Sequence, residues 1–158
     1  MEQVIESLKR DEKFMSRVSH WETLEARAGR YEALPEELDP RLRRALELRG
    51  VSRLYTHQAR CFRCVRGGES VVVVTPTASG KTLSYNLPVI QHLLEHPEAR
   101  AMYLFPTKAL SQDQQAELNE LDLAGELGVR IFTYDGDTPS SIRISARDHG
   151  RIVITNPD

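Results

Sequence analysis

The run Ser70-Val71-Val72-Val73-Val74-Thr75 constrains the fold of this chain more than any other stretch. Consecutive β-branched side chains favour extended backbone. The run is bounded by Gly67-Gly68 before it and Pro76 after it. An unbroken apolar segment of this kind predicts a strand buried on both faces, the situation of a parallel sheet. The sequence that follows has the matching rhythm. A helical pattern runs from Lys81 to about Glu95, and a strand pattern covers Ala101-Met-Tyr-Leu-Phe105. Helix is predicted again over Lys108 to Leu121 and Pro139 to Asp148, with strands at Val129 to Tyr134 and Arg151 to Thr155. Strands alternating with helices predict an α/β fold, a parallel sheet with flanking helices and right-handed crossovers. Just upstream, Thr56 is expected to cap a helix carrying Gln58, Ala59, Phe62 and Val65 that ends at Gly67-Gly68.

Residues 1–50 have another texture and read as an N-terminal accessory segment, with the α/β domain over residues 51–158. Val4, Ile5 and Leu8 recur at helical spacing, and Leu42, Leu46 and Arg49 follow the helix-starting pair Asp39-Pro40. Between them, Val18 to Trp21 and Tyr31 to Pro35 read as irregular extended packing. Such a segment is expected to lie across a larger domain without building a core of its own. The sequence stops on Asn156-Pro157-Asp158 directly after a core-type strand, so it reads as a fragment.

Composition narrows the class. The 158 residues are 40% hydrophobic and 28% charged, which excludes a mainly disordered or collagen-like chain. Lys+Arg number 21 against 23 Asp+Glu, a net charge of −2 that advertises no polyanionic partner for the whole surface. Residues 51–80, with 4 basic side chains and 1 acidic, form the only net-basic section. No apolar run approaches the roughly 20 residues needed to span a bilayer. The acidic, amphipathic start is unlike a signal peptide. Two cysteines make no disulfide framework. A cytoplasmic protein without a membrane partner is the expectation.

The segment Thr75-Pro76-Thr77-Ala78-Ser79-Gly80-Lys81-Thr82 lies between the valine-rich strand and a helix. Phosphate binding needs inward backbone N–H groups, a helix N-terminus facing the anion and a lysine among the phosphate oxygens. Gly80 permits the close backbone approach. Lys81 is placed to contact β- and γ-phosphates, and the Thr82 hydroxyl to ligate Mg²⁺. The strict form of the pattern has glycine where this chain has Thr75.

These residues resemble motif I of superfamily 2 helicases of the DEAD/DEAH-box type, in which threonine or alanine commonly stands at that first position. Three further segments are similar to motifs of the same family, in the same order. Leu54-Tyr55-Thr56-His57-Gln58 resembles the Q motif, Phe105-Pro106-Thr107-Lys108-Ala109-Leu110 resembles motif Ia, and Ile152 to Asp158 resembles motif Ib. The wording of these segments, with Tyr134-Asp135-Gly136-Asp137-Thr138-Pro139, is similar to the MrfA-like DNA helicases that carry a C-terminal four-cysteine zinc-binding domain. The resemblance covers about residues 51–158. It implies a RecA-like lobe that binds ATP and Mg²⁺, within an ATP-dependent helicase acting on single-stranded or partly duplex nucleic acid, DNA by subgroup. It assigns adenine to Gln58 through a bidentate amide pair, 23 residues before Lys81, with Tyr55 packing near the base. It assigns strand phosphates to Pro106, Thr107 and Lys108 at a helix N-terminus and to Thr155 at a strand end. Gly136 is expected to let the backbone approach the strand. Phosphate contacts position a protein without reading bases, so no sequence preference follows.

Other features have plainer explanations. Cys61 and Cys64 fall one helical turn apart without a second pair, and buried small apolar residues explain them better than zinc. Arg60, Arg63 and Arg66 recur every three residues and read as a solvated helix face. Pro88 is expected to kink its helix. The Asp-Glu-x-His motif that holds Mg²⁺ and polarises water in this family has no match here, because the only Asp-Glu pair is Asp11-Glu12. The chain alone is therefore expected to be inactive. A stand-alone phosphotransferase and a non-catalytic nucleotide- or DNA-binding module are the competing readings.

Overall fold

The structure, a computed structural model, describes residues 2–25, 28–76, 79–122 and 125–157, with Glu2 described by its backbone alone. Thr77 and Ala78 of the phosphate loop, and Asp158 of the last motif, lie outside the described residues. The elements in chain order are α1 (Glu2–Arg10), α2 (Glu12–Met15), β1 (Tyr31–Ala33), α3 (Pro40–Leu48), β2 (Arg53–Tyr55) and α4 (Thr56–Arg66). They continue with α5 (Lys81–Glu95), β3 (Ala101–Leu104), α6 (Lys108–Leu121), β4 (Ile131–Tyr134), α7 (Ser140–His149) and β5 (Ile152–Thr155).

Strands β3, β5 and β4 form a parallel sheet in that spatial order. The central β5 buries Ile152 and Ile154, which meet Leu42, Leu46, Leu54, Phe62, Leu87 and Leu118 in one continuous core. Helix α5 is fastened to this layer at two points. The Tyr103 hydroxyl of β3 donates to Asn86 Oδ1 at 2.8 Å, and the Tyr85 hydroxyl to Gln114 Oε1 of α6 at 2.6 Å. Burial raises the Tyr103 pKa well above its usual value, so this bond keeps its proton at any working pH. Pro88 sits buried within α5, which runs unbroken from Lys81 to Glu95.

Three expectations are corrected. Residues 70–74 form no strand and join no ladder with the described strands, and Val72 and Val74 are each 88% exposed. Val71 and Val73 instead line a groove with Cys61, Val65 and Pro88. Val73 is half-buried while Val71 is also exposed, because such a run is buried on both faces only where neighbouring strands and covering helices exist. The second correction concerns residues 31–48. Tyr31–Ala33 pairs antiparallel with Arg53–Tyr55, and Leu34, Leu38, Leu42, Ala45 and Leu46 belong to the central core. The pattern Leu34, Leu38, Leu42, Leu46 recurs every fourth residue, a stripe that the intervening charges hid. Finally, α4 starts one residue earlier than expected: Tyr55 is the N-cap, and Thr56 opens the helix.

Helix α4 buries Cys61 and leaves Cys64 half-exposed. Burial raises the Cys61 thiol pKa. Arg63 pairs with Glu32 at 2.8 Å and Arg66 with Glu95 across to α5, so the arginine face is partly tied down rather than merely solvated.

Candidate nucleotide site and nucleic-acid edge

The phosphate loop enters α5 through Gly80, whose backbone is left-handed at φ 71° and ψ 32°. The left-handed backbone is what calls for glycine; a Cβ there would lie 2.8 Å from Gln58 Nε2, so the end of that side chain would also have to shift. The first turn of α5 has neither a side-chain cap nor an acidic residue. Its orphan N–H groups are thus left for an anion, which the helix dipole favours. Lys81 Nζ donates to the carbonyls of Thr75 at 2.8 Å and Pro76 at 2.7 Å, which fixes the ammonium at the loop mouth. The Thr75 and Ser79 hydroxyls are bonded to each other at 2.6 Å, closing the loop. That contact is a physical use for threonine at a position where the strict pattern has glycine.

Gln58 is the third helical residue of α4 and reaches back as a capping-box partner. Its Oε1 accepts the Tyr55 N–H at 2.8 Å, and its Nε2 donates to the Gly80 carbonyl at 2.8 Å. The side chain is 4% exposed. One N–H and one lone pair remain for a base, since the amide's other valences join the two ends of the site. Tyr55 stacks on Tyr31 with centroids 4.7 Å apart and on His57 at 5.5 Å. Arg53 lies 5.0 Å above the Tyr31 ring. Tyr31 was invisible as a site neighbour because pairing between β1 and β2, not sequence spacing, brings it there.

The second group of residues shares the carboxyl end of the sheet. Leu104, Thr155 and Tyr134 stand level in register, and the Phe105 N–H extends the ladder to the Thr155 carbonyl at 2.9 Å. Pro106 and Thr107 follow on the surface, and Thr107 caps α6 by accepting the Leu110 N–H at 3.3 Å. Its hydroxyl proton stays available to an anion. Thr155 is half-buried and its hydroxyl donates to the Asn156 carbonyl at 3.4 Å. Lys108 opens α6 and is ion-paired with Asp137. A Cβ on Gly136 would meet nothing within 4 Å, so this chain's own packing does not require glycine there.

The turn bearing Gly136 is rigid for another reason. Arg143 donates to the carbonyls of Thr138 at 2.8 Å, Asp135 at 2.9 Å and Gly136 at 3.1 Å. The Thr138 hydroxyl, with the Asp137 N–H and the Lys108 charge behind it, holds the Asp135 carboxyl below the usual carboxylate range. Asp137 stands in the family-like Tyr134–Pro139 segment with no role assigned to it there, and no sequence pattern ties Arg143 to this turn.

A parallel sheet with flanking helices, and a glycine-lysine-threonine loop opening a helix beside it, define a RecA-like lobe. A profile of the DEAD/DEAH box helicase family matches residues 55–158. The chain belongs to that family. It is 52% identical over 141 residues to the uncharacterised ATP-dependent helicase YprA of Bacillus subtilis (strain 168), a match covering 89% of this chain and 19% of that protein. To the ATP-dependent helicase HRQ1 of Saccharomyces cerevisiae it is 40% identical over 158 residues, covering 99% and 14%. The crystal structure of the DUF1998 helicase MrfA bound to DNA and AMPPNP superposes with a TM-score of 0.85 at 50% identity, covering 99% of this chain and 22% of that one. The chain thus spans from 14% to 22% of the length of these proteins.

Proposed function

We propose that this chain is the ATP-binding front of an ATP-dependent helicase, which couples ATP hydrolysis to movement along nucleic acid and strand separation, with DNA as the strand. The observation that carries this reading is the junction at Gly80. A left-handed glycine opens an uncapped helix, with the Lys81 ammonium fixed at the loop mouth and Gln58 bridging from the α4 start. Lys81 and the first N–H groups of α5 would receive the β- and γ-phosphates, with Thr75, Pro76, Thr77, Ala78 and Ser79 forming the loop around them. Gln58 and Tyr55 would receive the base attached to those phosphates. The names of MrfA's ligands, DNA and AMPPNP, support both halves of the proposal.

Mg²⁺ fits the site in a limited way. The Thr82 hydroxyl is a hard oxygen donor in the first turn of α5, whereas the described residues contain no group of three acidic, histidine or cysteine side chains that could hold a metal. Among the described residues, Thr82 would be the side chain that holds the ion, which would supply positive charge to offset that of the phosphates. Pro106, Thr107, Lys108, Gly136 and Thr155 form the edge assigned to strand phosphates.

The adenine assignment has its own test. Gln58→Ala removes a base contact and also frees the Gly80 carbonyl and the Tyr55 N–H. Loss of these bonds is worth on the order of 1–3 kcal/mol. Affinity for ATP and GTP should both fall, ATP by roughly tenfold more, in competition binding to the protein at its natural length. An equal fall for both nucleotides would sink the adenine assignment and leave Gln58 as an anchor of the loop.

A further inference from the structure

We propose that Asp137 is a built-in phosphate mimic, competing with the nucleic-acid strand for Lys108 and so setting how tightly this edge binds. The inference rests on the assignment of α6's N-terminus to strand phosphates. Lys108 and Asp137 come from different elements, 29 positions apart, and meet as an ion pair across the sheet end. The carboxylate is held out on purpose-built backbone. Three turn carbonyls are tied to Arg143, the Asp137 N–H bonds Asp135 Oδ1 at 3.0 Å, and the Thr138 hydroxyl bonds the same oxygen at 2.9 Å. The Arg143 guanidinium also lies 5.0 Å over the Tyr134 ring, which pins the turn to the end of β4.

The turn needs the Asp137 main chain and the Asp135 side chain. The Asp137 side chain bonds only Lys108 among the contacts described, and it is 83% exposed. A carboxylate that does nothing for its own loop, seated on the lysine beside an uncharged threonine cap, presents oxygen to an ammonium as a phosphate does. A phosphate arriving at Lys108 must turn it aside. Because the turn is braced, the displacement is a rotation of one side chain, and the backbone around Gly136 stays in place for the strand. Once displaced, Asp137 stands close to the phosphate and repels it, so its effect on affinity exceeds the strength of the surface pair alone.

Fluorescence anisotropy with an oligothymidylate strand, at several salt concentrations, tests this on the protein at its natural length. Asp137→Asn and Asp137→Ser should each bind roughly threefold to tenfold more tightly than the parent. The slope of log affinity against log salt should steepen by up to about 0.7, the single-strand value per contact, because no freed carboxylate takes up a cation as Lys108 turns to its phosphate. With Lys108→Ala in place, adding Asp137→Asn should change affinity little. Asp137 variants that bind no tighter overturn the proposal, and so do variants that tighten binding equally with and without Lys108. Both results leave the strand-binding edge standing. If Lys108→Ala itself leaves strand binding untouched, the edge assignment falls and the proposal with it.

Discussion

Lys81→Ala is expected to remove ATP hydrolysis from the protein that carries this chain, lowering kcat at least about 100-fold, as loss of a positioned electrostatic donor does. The argument is one of placement. Two loop carbonyls, at 2.8 and 2.7 Å, already hold the ammonium at the first turn of α5. Phosphate oxygens then exchange for carbonyl oxygens on a cation that need not travel, so little ordering accompanies binding. The same geometry predicts a small effect on folding. Thr75 is half-buried and Pro76 exposed, so water can serve their carbonyls when the lysine is gone. Phosphate release measures the first effect and a thermal melt the second. Hydrolysis within a few fold of the parent would contradict the assignment of Lys81, and a variant that fails to fold would contradict the account of the loop.

A second large effect concerns the 158 residues by themselves. They contain the loop, but the only Asp-Glu pair is Asp11-Glu12, in α2 and the residue before it, far from Thr82 in sequence and outside the family's motif order. Hydrolysis needs a carboxylate to orient water, and an arginine finger in related NTPases contributes 10³–10⁵-fold. The isolated chain is expected to show no phosphate release above background, with or without DNA. Turnover that disappears on Lys81→Ala would show a complete site within these residues and would favour the phosphotransferase reading.

Legibility in the sequence followed the range of the interactions. Helix α5 and helix α6 lie within Lys81–Glu95 and Lys108–Leu121 as their periodicity predicts, because local spacing and the Thr107 cap determine them. Strands β3, β4 and β5 were legible as apolar runs, and family motifs fixed the loops at their carboxyl ends. What the sequence hid depends on partners far along the chain. The valine run looked buried on both sides, yet Val72 and Val74 face outward, since covering is a property of neighbours and not of the run itself. The Tyr31–Ala33 strand is short and carries a glutamate, and only pairing with Arg53–Tyr55 reveals it. Gln58 was legible as the glutamine of a Q-motif-like segment, while its bond to the Gly80 carbonyl, 22 positions away, was not.

Equilibrium binding of AMPPNP and of an oligothymidylate strand, measured side by side on the parent protein and its Lys81→Ala variant, tests the central claim most directly. The claim separates a phosphate site at the start of α5 from a strand edge at the start of α6. It predicts that the variant loses at least about tenfold in nucleotide affinity and binds the strand as the parent does. Unchanged nucleotide affinity in a folded variant would contradict it.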